Sequence, residues 1–262
     1  MFYRHFSVLC LLAIFACCSP SRVNDLRESI EQRLLGAANA PTNTNSNSVA
    51  SVRHSVSGLS QHIGGGFIIN RHWVGTAAQC LTGQTVHNTV VAVGRPTISG
   101  GTIHSVDRIV MHENYDPVTF ADDIGLLRTE TEIIFTAAVQ MIPLGAPILT
   151  SYTANMYGWG RITAAGGLSE TMRMHPFTTV DRATCLSRFP VVVRRFITER
   201  HICFWNNVGA TCPGDAGGPI IFNNAVVGII SWVEPCVAGQ TTVNTRISSY
   251  INWITSFTND DN

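Results

Sequence analysis

A chain of 262 residues that is 45% hydrophobic and 13% charged has the material for one large β domain or two smaller lobes. Its charged share is well below the usual quarter, which excludes the composition of a disordered chain. The formal net charge is +0, so there is no basic field to draw nucleic acid or an anionic membrane. No cofactor is expected and no metal site is named.

Taken in chain order, residues 1–18 predict a secretory signal peptide. Arg4 and His5 give a weakly positive start, Phe6 to Cys18 is a short apolar run, and the small residues Ala16 and Cys18 stand where cleavage needs them. The run is shorter than the ~20 residues a membrane span takes. A secreted, extracellular protein follows as the expectation. Residues 19–33 are polar and charged and predict a propeptide. Pro41 to Ser48 is a Thr/Asn/Ser loop, and no Asn-x-Ser/Thr acceptor for N-glycosylation occurs.

From Val49 onward short β-branched runs alternate with Gly, Pro and Asn: Phe67–Asn70, Thr89–Val93, Ile103–Met111, Ile124–Arg128, Asn155–Trp159, Ala225–Trp232 and Thr242–Ile247. Regular short strands with turn signals predict a sandwich or barrel. Ser248-Ser249 followed by apolar residues at helical spacing predicts a serine-capped helix at the end of the chain. Five cysteines lie beyond the signal segment: Cys80, Cys185, Cys203, Cys212 and Cys236. An odd count in an oxidising compartment leaves one thiol to explain.

Several separated strings carry a resemblance. They are Gly64-Gly65, Thr76-Ala77-Ala78-Gln79-Cys80, Asp123-Ile124-Gly125-Leu126-Leu127, Gly158-Trp159-Gly160, Cys212-Pro213-Gly214-Asp215-Ala216-Gly217-Gly218-Pro219, Ser231-Trp232 and Thr245-Arg246. In this order they resemble the chymotrypsin/trypsin-like serine proteases across residues 34–262. The resemblance implies an all-β fold of two six-stranded antiparallel barrels with a C-terminal helix and a cleft between the barrels.

It further implies triad positions at Gln79, Asp123 and Ala216, an oxyanion hole from the N–H groups of Gly214 and Ala216, and a specificity pocket from Ala210, Thr211, Ser231, Val233 and Thr242. With Ala210 at the floor and Val233 and Thr242 at the walls, that pocket suits small apolar side chains. The bridges implied are Cys185–Cys203 and Cys212–Cys236. Cys80 is left unpaired because Ile63 precedes the glycine run, and it stands either as a buried thiol or as the link of a disulfide-bonded dimer. Arg33-Leu34-Leu35-Gly36 resembles the family's activation site, where a cut after Arg33 frees an ammonium on Leu34 to pair with Asp215.

The chemistry of the family needs a hydroxyl nucleophile, an imidazole base and an orienting carboxylate. Ala216 has a methyl group and Gln79 an amide that does not titrate near neutrality. The expectation is therefore a chain that is not an enzyme. It would be a secreted serine protease homologue that binds an active protease, a protease inhibitor or a protease substrate as a decoy, cofactor or regulator in an extracellular cascade. The alternative is a weak or unorthodox endopeptidase with an elastase-like preference.

Overall fold

The computed structural model describes residues 38–43, 45–147, 150–163, 165–232 and 236–259. Of the thirteen strands among the described residues, twelve form two closed antiparallel barrels. The first comprises β2 (Val49–Val56), β3 (Leu59–Ile68), β4 (Trp73–Thr76), β5 (Thr89–Val93), β6 (Thr102–Met111) and β7 (Gly125–Thr129), in the spatial order β2-β3-β4-β7-β6-β5. The second comprises β8 (Thr153–Gly158), β9 (Arg173–Val180), β10 (His201–Trp205), β11 (Pro219–Phe222), β12 (Ala225–Ile230) and β13 (Thr241–Arg246). Its order is β9-β10-β13-β12-β11-β8, and the pairing of β8 with β9 closes the ring. The short β1 (Ala38–Asn39) adds to the outside of β9, Ala38 opposite Met174 and Asn39 opposite Arg173.

Period-two alternation sets which side chains fill each barrel. In β6, His104 and Val106 are buried while Ser105 and Asp107 face out. The first barrel is filled by Val52, Ile68, Val74, Val91, Val93 and Leu127 among others. The second is filled by Met156, Phe177, Phe204, Ile220 and Ile230. A further cluster draws on both, with Phe67, Trp73 and Leu126 from one and Tyr157, Trp159 and Ile229 from the other.

Two short helices, α1 (Arg182–Ser187) and α2 (Val191–Arg194), lie between β9 and β10. Asp181 caps α1 by accepting the N–H of Thr184 at 2.9 Å. The expected C-terminal helix is α3 (Ile251–Thr258), but its serine cap is not made. Ser248 and Ser249 fall in a 3-10 turn, and the capping position is Tyr250, with no side-chain bond to the helix. At its other end Asn70 of the first barrel donates to the Thr258 carbonyl at 3.0 Å, so a terminal helix carbonyl is satisfied across the molecule.

The expected disulfides Cys185–Cys203 and Cys212–Cys236 are both formed, and Cys80 is free and buried. Ile63, however, is not the residue that faces it. The pairing of β2 with β3 slips between Val52–Gly64 and Arg53–His62, which leaves Ile63 as the extra residue of a bulge. Gly64 faces the thiol: a Cβ on it would stand 2.4 Å from Cys80 Sγ. The position that lacks a cysteine is therefore Gly64. A thiol buried this way would have to leave the core before it could bridge to another chain.

Candidate active site between the barrels

The cleft between the barrels has a volume of about 680 Å³. The turn after β4 brings Gln79 to it, the loop before β7 brings Asp123 beneath it, and the loop before β11 brings Gly214 and Ala216. Its remaining walls are largely apolar, with Ile63, Phe120, Val193, Phe196 and Trp232.

Asp123 is 1% exposed and fully engaged. Its Oδ1 accepts the backbone N–H of Gln79 at 2.8 Å, and its Oδ2 accepts the Gln79 side-chain amide and the Ser231 hydroxyl, each at 2.6 Å. The second amide hydrogen of Gln79 goes to the Ser231 carbonyl at 2.9 Å. Thr245 donates to the Asp123 carbonyl at 2.8 Å. Burial pushes the Asp123 carboxyl above its usual range, against the pull of the Ser231 hydroxyl and the Gln79 N–H groups. The amide of Gln79 thus helps to satisfy the carboxylate.

The turn that carries Ala216 is tied to the first barrel. The Gly65 N–H donates to the Ala216 carbonyl at 2.8 Å, and Cys80 Sγ lies 3.4 Å from the same oxygen. A Cβ on Gly65 would meet the Cα of Gly218 at 2.6 Å, so the barrels approach here only because both residues are glycine. Gly214, which lines the cleft, has φ of +99°, in the left-handed region that favours glycine. Among the described residues neither the N–H of Gly214 nor that of Ala216 has an intramolecular acceptor.

A relay that no sequence motif announces holds the other side of this loop. Arg53 Nε donates to Ser51 Oγ at 3.0 Å, and Ser51 Oγ lies 2.8 Å from His62 Nδ1. His62 Nε2 donates to the Gly214 carbonyl at 2.9 Å. Since that carbonyl only accepts, the neutral ring carries its proton on Nε2 and takes the Ser51 hydroxyl on Nδ1. Burial depresses His62 to about 4, opposed by its bond to Gly214 and reinforced by the Arg53 charge.

Asp215 is half-buried behind the loop. Its Oδ1 accepts from the Gly160 N–H at 2.7 Å and its Oδ2 from the Cys212 N–H at 2.9 Å. No cation pairs with it among the described residues, and burial pushes it up to about 6. It lines a small cavity of about 40 Å³ with Arg173, His175, Ala210 and Thr211. Arg33 and Leu34, as well as the whole of the segments 1–18 and 19–33, lie outside the described residues.

The structure divides the expected specificity pocket. Ser231 lines the main cleft, whereas Ala210 and Thr211 line the small cavity beside Asp215. Thr242 is 6% exposed and lines neither, its hydroxyl accepting from Asn244 Nδ2 at 2.9 Å. Val233 lies outside the described residues. The cleft residues that sequence reasoning missed are Phe120, from a turn, and Val193 and Phe196, from α2 and the turn after it, none of them in a recognisable string. No group of three or more His, Cys, Asp or Glu side chains that could hold a metal occurs among the described residues, and none of their helices is long and apolar enough to cross a membrane.

The profile of the family described as Trypsin matches residues 39–254. The chain is 36% identical over 198 residues to "Trypsin, alkaline B" of Manduca sexta, which covers 72% of this chain and 77% of that protein. It is 30% identical over 200 residues to "Chymotrypsin-2" of Vespa crabro, covering 74% of this chain and 88% of the relative. It is 32% identical over 209 residues to "Trypsin 5G1" of Aedes aegypti, covering 76% and 77%. These relatives overturn the expectation that the chain is not an enzyme, because they are named as trypsins and a chymotrypsin and the family is one of peptidases. What the site itself shows is narrower: positions 79 and 216 supply an amide and a methyl group.

Proposed function

The chain belongs to the trypsin family of serine proteases, and on that premise we propose that it is a secreted protein that binds extended polypeptide in the inter-barrel cleft. Its hydrolysis of that polypeptide is weak and of an unorthodox kind. The observation that carries this reading is the pair of unclaimed N–H donors, Gly214 and Ala216, at the wall of an otherwise apolar cleft. Backbone donors fixed in a water-poor site bind a peptide carbonyl, and they bind the oxyanion of a tetrahedral intermediate better.

The nucleophile in such a reaction is water. It adds to the carbonyl carbon, its proton passes to solvent, and the amine departs with a proton taken from solvent. An oxyanion hole and binding without the serine and histidine give roughly 10³–10⁴-fold acceleration over water. Recognition is therefore the larger part of what the cleft does, and the natural ligands are an active protease, a protease inhibitor or a protease substrate. Secretion is supported by the apolar segment before Ser19 and by two disulfides, which persist in oxidising compartments. Cleavage after Arg33 is part of the same proposal. It would give Asp215 the cation that it lacks among the described residues, and a desolvated carboxylate without one is costly.

The test uses the chain cut after Arg33, with small-apolar peptide substrates, beside the Gln79→His, Ala216→Ser double variant. Saturable binding to the unaltered chain, slow turnover above the solvent background and a gain of several orders of magnitude in the double variant are expected. No binding and no turnover above background in the unaltered chain would overturn the proposal.

A further inference from the structure

One side of the cleft is built by a segment that carries charge of a single sign. From Arg188 to Phe196 the chain holds Arg188, Arg194 and Arg195 and no acid, in a protein whose formal charges sum to +0. Val193 and Phe196 of this segment line the cleft. Val191 and Val192, on the same helix α2, are 74% and 71% exposed. Adjacent valines held in water beside an apolar groove mark a surface kept for a partner.

The guanidinium groups of this segment have no counter-ion. Among the described residues Arg71, Arg128, Arg182 and Arg200 each pair with a carboxylate, whereas Arg188, Arg194 and Arg195 do not. Arg188 donates to the Thr241 hydroxyl at 2.9 Å and lies over the Trp205 ring. Arg194 gives its Nε–H to the Phe189 carbonyl at 2.9 Å. Arg195 is exposed and stands over the ring of Phe196, 4.7 Å from its centroid. Stacking on an aromatic face fixes the plane of a guanidinium and leaves its edge open to take a carboxylate in two parallel hydrogen bonds. The opposite rim differs. There Val118 is 84% exposed, and Asp116 spends its carboxylate locally, on the Val118 N–H and the Thr119 hydroxyl, each at 2.8 Å.

We infer that the Arg188–Phe196 rim is a recognition site for acidic side chains, and that the polypeptide taken by the cleft carries carboxylates beside its apolar stretch. This rests on the proposed binding of polypeptide between the barrels and names the class of that polypeptide. Its apolar part seats on Phe120, Val193, Phe196 and Trp232, and its Asp or Glu side chains pair with Arg195 and the two arginines near it in the chain. Complementary charge at the edge of an apolar contact selects among partners more than it adds to affinity. An anionic lipid surface would also meet valines flanked by arginines. The polypeptide is favoured because the same segment supplies two walls of a concave groove, which a flat bilayer has no means to fill.

The test is binding of synthetic peptides to the folded chain. Blocked Ala/Val peptides carry a run of Glu at the N-terminal or at the C-terminal end, beside counterparts with Gln in its place. At low salt one of the acidic peptides should bind about tenfold more tightly than its Gln counterpart, and the preference should shrink as salt is raised. Arg195→Gln should remove most of that preference, and Arg188→Gln, Arg194→Gln and Arg195→Gln together should remove all of it. Where the triple variant does not fold, the exposed Arg195→Gln change and the salt dependence decide. Equal binding of acidic and Gln peptides by the unaltered chain would overturn the inference and leave the cleft reading standing. So would a preference that survives the variants. Arg195-dependent binding of phosphatidylserine vesicles, with no preference among the peptides, would overturn it in favour of a lipid surface. Binding of no peptide at all would take down the cleft reading and this inference with it.

Discussion

His62 Nε2 donates to the carbonyl of Gly214 at 2.9 Å, so a strand of the first barrel holds the loop that lines the cleft with Gly214 and Ala216. The same loop carries Asp215 on its buried side, and the two residues respond to acid in opposite senses.

His62 is depressed to about 4 from 6.5, so the folded chain binds fewer protons than the unfolded one and stability rises as pH climbs through this window. Asp215 is raised to about 6 from 3.8, so the folded chain keeps a proton that the unfolded one has shed, and stability falls as pH climbs from about 4 to about 6. Each effect is worth ~3 kcal/mol and they nearly cancel. In the uncut chain, Asp215→Asn should therefore expose the His62 limb. Its stability in urea should rise by ~3 kcal/mol between pH 4 and pH 6. A flat profile in that variant would remove the opposition.

Gln79 spends both amide hydrogens on partners, at Asp123 and at the Ser231 carbonyl. Gln79→Ala should cost ~1–3 kcal/mol in denaturant melts by leaving a buried carboxylate short of a donor. Gln79→Glu should cost more at pH 8, because a second carboxylate then faces Asp123. Equal stability of the two variants at that pH would contradict the charge argument.

Gly64 presents its α-carbon to the Cys80 thiol, with the missing Cβ 2.4 Å from the sulfur. Gly64→Cys should close a disulfide to Cys80 and raise stability by ~3 kcal/mol, as a loop of about 15 residues implies. Peptide mapping without reduction checks the bond. A variant that retains two free thiols would show that the bulge at Ile63 moves position 64 away.

Much of this was legible in the chain because the family strings are local. Thr76 to Cys80, Asp123 to Leu127 and Cys212 to Pro219 each mark a turn or a strand that needs those residues where they stand. The disulfides followed from the family resemblance as a whole. The partner position of Cys80 did not, since a bulge shifts strand phase by one residue and a simple count from the glycine run lands on Ile63. The relay from Arg53 through Ser51 to His62 was invisible as well. It joins residues on paired strands to a carbonyl 152 positions downstream from His62, and ordinary residue types gave it no signature. The specificity pocket read as one unit, yet Thr242 turns its hydroxyl to Asn244 and Ala210 backs onto the Asp215 cavity.

The two-residue strand β1 fixes a length. It ties Ala38 and Asn39 to Met174 and Arg173, and Arg173 borders the cavity that contains Asp215. Only four residues of chain separate the bond after Arg33 from this tie, a tether of at most ~14 Å. A new end made there would search a small volume around the carboxylate at an effective concentration of millimolar or more. A cut after Arg27 would leave six more residues on the tether and dilute the end accordingly. On the proposed cut after Arg33, the pairing of two residues on the outside of a barrel thus acts as a ruler for its position.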